Sequence, residues 1–481
     1  MKLELCELGL ETASKLGASY ADVRFVDKQD SNVGMKNGKP DSIQLTSESG
    51  FGVRVIVDNG WGFAGSFVVS KKEMQNTVKK AVKIAKASAK LAKEPVVLAP
   101  VKIYKTNFSS KYKIDPFNVP IEEQLALLKE ADDAYRKKAL HARTTSSRIY
   151  AKKEDKLIAT SEGSRIDQTI VFCGASGDGY VMEGGQVQNR SWEITPLTKG
   201  YEYIKSHDLT KLAESAGTEA ELLLKAEPCP TEIHKDLILD DAHIYLQIHE
   251  TIGHASELDR VLGTEVDLAG MSFLTPDKLG KFQYGSKQTT FVADATIPDG
   301  LATYGFDDEA VPSKKEVLVK NGLFVGYQSS RETAAQIGLK ESSGGMRAVS
   351  SINTPLVRMS NICLEPGDWK SDEIIEDTKD GVLMRTTRMW SVDDRRLNFQ
   401  FGCQIGWIIK NGEITKPIRD PTYTGISYEF WRSVDATAKD DWKLYGTTGC
   451  GKGRPGQGIY VGHGAARTRI KNVRMGITGR M

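Results

Sequence analysis

The sequence lacks a long apolar segment. A membrane-spanning helix needs about eighteen consecutive apolar residues, and no such run occurs in the 481 residues. The amino-terminal stretch "MKLELCELGLETASKLG" is interrupted by Glu4, Glu7 and Glu11, whereas a secretory signal has a continuous apolar core. The sequence therefore predicts neither a membrane span nor a signal peptide, and we expect no membrane partner.

The sequence also lacks an excess of charge of one sign, and it is poor in cysteine. Lysine and arginine together number 65 against 63 acidic residues, a net charge of +2, so a nucleic-acid partner is not expected. The six cysteines contain no CxxC pair and do not form the pattern of a disulfide framework. We therefore expect a cytoplasmic protein whose thiols are reduced and free to bind metal.

The apolar residues that are present predict an α+β fold. The N-terminal half alternates amphipathic helices with strand-like runs such as "ADVRFVD". The later part of the chain is rich in glycine and short alternating runs, and there "KNG" stands twice between apolar runs, as a hairpin turn would. We predict a mixed α/β N-terminal half, residues 1–222, and a mainly antiparallel β C-terminal half, residues 223–481, carrying one metal-binding helix. The proline-rich connector at 95–118 marks a further subdivision of the first half.

A lysine-rich segment, "SKKEMQNTVKKAVKIAKASAKLAK", predicts an amphipathic helix over 71–93 with Ser70 as its N-cap. Its lysines fit a solvated face, because long lysine stems readily cover apolar surface. The alternative is a surface that binds an acidic partner or a membrane.

The stretch "HETIGH", His249 to His254, is one residue longer than the zinc-protease signature HExxH. On a regular helix, five steps place the two histidines about 140° apart, so they could hardly reach one ion. A π-helical turn near Ile252-Gly253 would bring them together, and such turns are frequent at functional sites. The spacing alone leaves open both a metal site with Glu250 beside it and two unrelated histidines.

A catalytic zinc site needs a third protein ligand and an open position for water. The nearby carboxylates are Glu257, Asp259, Glu265 and Asp267, and each fits an ordinary surface charge equally well. The remote candidate is Cys450 in "GTTGCGKGRPGQG", which the flanking glycines predict to lie in a loop. A thiolate is a strong zinc ligand, while the alternative for this cysteine is a buried free thiol.

Five segments, in this order, resemble the TldD/PmbA family of metallopeptidases, on the TldD side. They are "GASYADVRF" with "GFGVRVIVDNGWGFAGS", then "HETIGHASELD", "TIPDGLATYGFDDEAVPSKKEVLVKNGLFVGYQSSRETAAQIG", "GGMRAVSSINTPLVRMSNICLEPGDW" and "GCGKGRPGQ". Together they span nearly the whole chain. Ala310 stands where the family pattern has glycine, and the spacing after Cys450 departs slightly from that pattern.

The resemblance implies zinc bound by His249, His254 and Cys450, with Glu250 as the catalytic acid and base. It implies a peptidase that hydrolyses unfolded or partly unfolded peptides with water activated by zinc and Glu250. It also implies assembly as a dimer, with a PmbA/TldE-like subunit or with a second copy. Two other functions stay open: a zinc-dependent amidohydrolase acting on a small substrate, and a non-enzymatic modulator with a structural metal.

The C-terminal tail is basic. Residues 442–481 contain no aspartate or glutamate, and Lys452 and Arg454 follow closely on Cys450. One interpretation is that the tail's cations deter edge-to-edge pairing of strands. The other is that Lys452 or Arg454 binds the acidic groups or the C-terminal carboxylate of the substrate and steers them toward the metal.

Overall fold

The computed structural model describes residues 1–92, 94–268 and 270–476, and it has the predicted α+β fold. Lys93, at the end of the predicted lysine-rich helix, and residues 477–481 of the basic tail lie outside the described residues. The elements of the N-terminal half are α1 Lys2–Lys15, β1 Tyr20–Lys36, β2 Lys39–Val57, β3 Gly60–Ser66, α2 Lys71–Ala89, β4 Lys105–Ser109, α3 Ile121–Lys138, β5 Ala142–Thr160, β6 Arg165–Glu183, β7 Gln186–Leu197, α4 Glu202–Lys205 and α5 Leu209–Lys225.

One seven-stranded sheet holds all the strands of this half, in the order β3-β2-β1-β5-β6-β4, with β7 also paired to β6. Strands β1 and β5 come from the two sides of the proline-rich connector and pair along 15 residues of β1, from Asp22 to Lys36. The connector itself contributes β4, which runs parallel to β6. The sheet is therefore continuous across the segment 95–118.

The two faces of this sheet have different partners. The helices pack on one face, because alternate residues of β1 are apolar and buried, as the strand pattern predicts: Ala21, Val23, Phe25, Val33 and Met35. Helix α2 begins at the predicted cap, where the Ser70 hydroxyl accepts a hydrogen bond from the amide of Glu73. The opposite face carries charged side chains, including Arg24 and Lys156, and meets the C-terminal half.

The elements of the C-terminal half are mostly short strands. They are β8 Glu227–Pro228, β9 Ile233–Leu239, α6 Asp241–Ile248, α7 Leu258–Val261, β10 Phe291–Asp294, β11 Lys315–Lys320, β12 Leu323–Phe324, α8 Arg331–Gln336, β13 Met346–Arg347, β14 Leu356–Val357, β15 Asn361–Leu364, α9 Ser371–Glu376, β16 Asp380–Val392, β17 Asn398–Lys410, β18 Glu413–Arg419, β19 Thr422–Ile426, α10 Ser427–Arg432, β20 Val434–Thr437, β21 Lys443–Lys452, β22 Gln457–Ala465 and β23 Thr468–Met475.

Two larger sheets organise this half. One has the order β12-β11-β10-β15-β22-β21, and the other has the order β16-β9-β23-β19-β17-β18-β8 with β20 paired to β23. Most neighbours are antiparallel, as predicted, although β15–β22, β16–β9 and β18–β8 are parallel. Both predicted "KNG" turns are confirmed: Asn321-Gly322 joins β11 to β12 and Asn411-Gly412 joins β17 to β18. These four residues have positive φ, as a two-residue hairpin turn requires.

Buried ion pairs join the two halves of the molecule. The Asp308 carboxylate accepts from Arg24 Nη1 at 2.7 Å and from Lys156 Nζ at 2.8 Å, and Glu309 pairs with Arg54 at 3.1 Å. Each of these side chains is at most 5% exposed. The next residue, Ala310, has φ 60°, the left-handed conformation that favours glycine. No helix among the described residues has the length and apolar character needed to cross a membrane.

Candidate metal centre

The HETIGH stretch is a π-helical turn. Asp240 caps α6, its carboxylate accepting from the amide of Asp241 at 3.0 Å, and the helix widens into a π-turn over His249–Gly253. The predicted distortion is therefore confirmed. Gly253 itself has φ −56°, an ordinary helical value, so the turn does not need its backbone freedom. A Cβ at Gly253 would instead overlap Sδ of the buried Met359, so the glycine provides space.

The widened turn brings both histidines to Cys450. His249 Nε2 and His254 Nε2 each lie 3.5 Å from Cys450 Sγ, and the three donor atoms lie within 4.8 Å of one another. All three side chains are buried. The residues that the family resemblance implies as ligands are thus brought together by the fold.

Cys450 lies on strand β21, so its predicted position in a loop is wrong. The strand pairs with β22 across an irregularity between Thr447 and Cys450, where β21 has one extra residue. Such a bulge re-aims the side chains beside it and is common near functional sites. The buried guanidinium of Arg358 donates to the backbone oxygens of Cys450 and Gln457, which fixes this part of the hairpin.

The donor set fits zinc. Two imidazole nitrogens and one thiolate are ligands that zinc prefers, with bonds of about 2.0–2.3 Å in tetrahedral geometry. Those bond lengths place neighbouring donors about 3.5 Å apart, and both nitrogen–sulfur distances here are 3.5 Å. A three-residue donor set also leaves the fourth position that a catalytic site requires.

Buried groups contact Nδ1 of each histidine, the outer ring nitrogen that does not face Cys450. His249 Nδ1 lies 2.9 Å from Nε2 of His463 on β22, and His254 Nδ1 lies 2.9 Å from Oε2 of Glu257. Partners of this kind fix the tautomer and the ring orientation of a metal-binding histidine. Glu257 is fully buried, and Lys452 Nζ lies 3.4 Å from its carboxylate.

The electrostatics favour the protonation states that bind metal. Burial lowers the pKa of both His249 and His254, which disfavours their protonated forms. Burial alone would raise the pKa of the Cys450 thiol, but His254 and Arg358 lower it below its ordinary value. Burial likewise opposes ionisation of Glu257, yet Lys452 and His254 hold its pKa well below the ordinary value. Neutral imidazole and thiolate are the forms that coordinate a metal.

Glu250 lies in the same turn and lines the same cleft as the three donors. Its Oε2 accepts a hydrogen bond from Arg396 Nη1 at 2.8 Å. Arg396 belongs to the turn between β16 and β17 and has φ 61°, so an unusual backbone conformation delivers its guanidinium to the site. A carboxylate held in this way is positioned to exchange protons with groups in the cleft.

Both halves of the molecule line the cleft. It has a volume of about 740 Å³, and β5, β6 and β7 of the N-terminal sheet contribute one wall. A second cavity of about 980 Å³ adjoins it and shares the lining residues Glu193, Tyr245 and Thr387. Gly449 and Gly451 line the metal side, and a Cβ added at either would meet no neighbouring atom. Beside Cys450, the cleft is therefore lined by the backbone of Gly449 and Gly451, without side chains.

The structure does not bring Lys452 or Arg454 to the lining of this cleft. Lys452 is 1% exposed, and its ammonium contacts Asp259 at 2.7 Å as well as Glu257. Arg454 is exposed and pairs with Asp267 at 3.1 Å. Of the carboxylates considered as a third ligand, Glu257 is the one that contacts a histidine of the cluster, and it does so at the outer nitrogen.

Sequence patterns did not point to three residues of the site. His463, Arg396 and Glu193 lie on a strand, in a tight turn and on another strand, with no motif around them. The structure shows their positions because distant pairings bring β7, β16 and β22 around one helix. The alternation of β22 could have marked His463 as buried, but its partner could not be read from it.

The whole chain is similar to one family of known proteins. The description "PmbA/TldA metallopeptidase C-terminal domain" matches residues 234–476. Descriptions of domain 1 and of the central domain of the same family match residues 21–85 and 114–224.

Named relatives and solved structures agree with this match. A protein from Methanocaldococcus jannaschii, named as a metalloprotease, is 35% identical over 468 residues, covering 96% of this chain and 98% of the relative. A protein from Saccharolobus solfataricus, named as a zinc metalloprotease TldD homolog, is 23% identical over 473 residues, covering 97% and 98%. The crystal structure of TldE from Thermococcus kodakarensis shares the fold, with a TM-score of 0.78 at 17% identity over 98% of this chain and 100% of that chain.

Proposed function

The chain belongs to the TldD/PmbA family of metallopeptidases, on the TldD side, and from that premise we propose that it is a zinc-dependent peptidase acting on unfolded or partly unfolded peptides. The observation that carries the proposal is the cluster of His249, His254 and Cys450 in one cleft with Glu250. Two histidines alone would fit many structural arrangements. Two histidines, a thiol of lowered pKa and an adjacent carboxylate are the parts of a hydrolytic metal site.

In this proposal His249, His254 and Cys450 hold one zinc ion. When bound, zinc supplies a Lewis acid that activates water and polarises a peptide carbonyl. His463 and Glu257 keep the two imidazoles in the tautomer whose Nε2 is free for the metal. The buried cations around Glu257 keep that residue ionised, so it continues to accept from His254.

Glu250 is the proposed general base and general acid. Its carboxylate takes a proton from the attacking water and returns it to the leaving amine. Arg396 donates to Oε2 of Glu250, which holds the carboxylate in one orientation.

The substrate is proposed to bind in an extended conformation. Strand β21 is the edge strand of its sheet. Among the described strands of that sheet it pairs with β22 on one side and with none on the other. The bare backbone at Gly449 and Gly451 allows another chain to approach closely. An extended peptide can pair with such an edge through its main chain. This pairing requires an unfolded substrate but does not require a particular sequence.

The two alternatives fit less well. A small amide needs less room than the adjoining cavities of about 740 and 980 Å³ provide. A structural metal would have four protein ligands, whereas the donor cluster found among the described residues has three. The structural-metal alternative also gives Glu250 no role beside the cluster.

We propose further that the protein acts in the cytoplasm as a dimer. The six cysteines are free and buried, which fits a reducing compartment. The partner would be a TldE-like subunit or a second copy, since a TldE structure shares the fold of this chain.

Metal analysis and peptide digestion test the proposal together. The purified protein should hold about one zinc per chain and cleave a library of unfolded peptides. Cys450→Ala should lose most of the zinc. Glu250→Gln should retain zinc and fold normally, yet lose at least about 100-fold in cleavage rate, as expected for the loss of a general base.

Cys6→Ala is the matched control, because Cys6 is a buried thiol in α1 far from the cleft. It should keep its zinc. Full zinc content in Cys450→Ala, or unchanged cleavage by Glu250→Gln, would show that the ligand or the base is assigned wrongly.

A further inference from the structure

A row of three side chains crosses the N-terminal sheet where that sheet lines the metal cleft. Arg148 on β5 pairs in register with Ser176 on β6, and Ser176 pairs with Glu193 on β7. Residues directly opposite each other on neighbouring strands project from the same face of a sheet. All three line the cleft. At a strand spacing of about 4.8 Å, the backbones of Arg148 and Glu193 are about 10 Å apart.

Glu193 is a carboxyl group without a cation; desolvation raises its pKa to about 7, so a bound cation would favour its ionised form. Throughout the described part of the chain, no side chain forms an ion pair or hydrogen bond with it, and it is exposed to the cleft. The other carboxylate of the metal cleft, Glu250, is paired with Arg396. An acidic side chain that lines a cavity and lacks a partner can take one from a ligand.

The surroundings of Glu193 place it in the same cleft as the metal donors. It lines both the metal cleft and the adjoining cavity, together with Tyr245. Tyr245 lies on α6, four residues before His249 in the π-turn, and its ring centroid is 5.7 Å from that of His463, the partner of His249. A peptide that runs from one cavity into the other would therefore pass Glu193 close to the scissile bond.

The chemistry around this carboxylate suits a cation. Tyr150 and Tyr245 line the same cleft, and Tyr245 stacks on Tyr445 with ring centroids 4.7 Å apart. Aromatic faces attract ammonium and guanidinium groups, and an adjacent carboxylate adds a charge-assisted hydrogen bond. The guanidinium carbon of Arg148 lies 5.1 Å from the centroid of the Tyr150 ring, so one of these rings already forms a cation–π contact.

We propose that Glu193 is a specificity residue that binds a positively charged group of the peptide substrate beside the metal centre. The group is an ammonium or a guanidinium, supplied by a lysine or arginine side chain or by the amino terminus of the peptide. The inference rests on the proposed function for the nature of the ligand, but peptide binding can be measured without turnover.

The test uses full-length, zinc-loaded protein carrying Glu250→Gln, so that bound peptides are not cleaved. Fluorescent peptides of one sequence carry lysine, norleucine or glutamate at a single scanned position, and their affinities are measured by anisotropy. Replacing Glu193 by glutamine should weaken the best lysine peptide about 10-fold. The matching norleucine peptide should change less than about twofold, because it has no charge to lose. Glu193→Lys should reverse the preference toward glutamate.

Glu130→Gln is the control, since Glu130 is an exposed carboxylate on α3, and α3 packs on the opposite face of the sheet. Blocking the peptide amino terminus by acetylation separates the two sources of the cation. A loss of affinity on acetylation assigns the amino terminus, and a loss of affinity on replacing lysine assigns the side chain.

Equal lysine-to-norleucine affinity ratios before and after Glu193→Gln would overturn the proposal. An equal effect of Glu130→Gln would overturn it too, because it would show a long-range effect of net charge. Absence of peptide cleavage by the parent protein, together with lysine selectivity in the Glu250→Gln protein, would instead count against the proposed catalytic function alone.

Discussion

At the scale of single residues, Glu257 orients His254, one of the proposed metal ligands. Its carboxylate accepts from His254 Nδ1 at 2.9 Å, and the buried cations Lys452 and Arg260 surround it. We predict that Glu257→Gln lowers zinc affinity about 10- to 100-fold, the usual effect of losing a partner behind a metal ligand. Chelator competition on the folded variant measures this affinity.

Asp267→Asn is the control for that experiment, because Asp267 pairs with the exposed Arg454 outside the cleft. It should bind zinc as the parent protein does. Zinc affinity at the parent level in Glu257→Gln would contradict the prediction.

The sequence predicts single residues unevenly. His249, Glu250 and His254 stand in one local motif, so their spacing alone raised the metal question. Cys450 is one of several candidate third ligands in the sequence, and only the family resemblance singles it out, because about 200 residues separate it from the motif and its glycine-rich surroundings predict a loop. His463 and Glu193 have no local signal, since their partners come from other strands of the fold.

At the scale of elements, the π-turn depends on close packing at Gly253. A methyl group there would overlap Sδ of the buried Met359, so Gly253→Ala should destabilise the protein by about 1–3 kcal/mol through overpacking. Met359→Ala should relieve this clash. The double variant should therefore be more stable than the sum of the two single effects predicts, by about 1 kcal/mol or more. Chemical denaturation of the four proteins gives the coupling, and strict additivity would contradict the prediction.

Elements with local signals are predictable from the sequence, whereas pairings are not. The capped helix at Ser70 and the two KNG hairpins follow from turn and cap chemistry within a few residues. The sequence predicts a connector where strand β4 lies, because this segment is rich in proline and β4 owes its conformation to pairing with β6. The sequence predicts a loop around Cys450 for a similar reason, because pairing with β22 is what keeps this glycine-rich segment extended.

At the scale of the whole molecule, Asp308 joins the two halves. Burial alone would raise the pKa of this carboxyl, but Arg24 and Lys156 lower it below the ordinary value of about 3.8. Asp308→Asn should therefore cost about 3–5 kcal/mol of unfolding free energy at neutral pH, since it leaves buried cations without their partner.

The pH dependence of this effect has a defined sign. A folded-state pKa below the unfolded one stabilises the fold above the unfolded pKa, near 4, and this contribution is lost as the pH falls through the folded pKa. Denaturation from pH 7 to pH 3 should show the gap between the parent and Asp308→Asn narrowing at the acid end. The exposed Asp372→Asn should show no such gap, and a constant gap for Asp308→Asn would contradict the linkage.

The distance along the chain between the donors has a consequence for synthesis. Cys450 follows His249 by 201 residues and His254 by 196. Chains leave the ribosome from the amino terminus and fold in that order, so a growing chain carries two donors long before it carries the third. Strand β22, which holds the Cys450 strand in place, emerges later still. The donor cluster is therefore incomplete until nearly the whole chain has been made, so a nascent chain lacks the site on which the proposed peptidase activity depends.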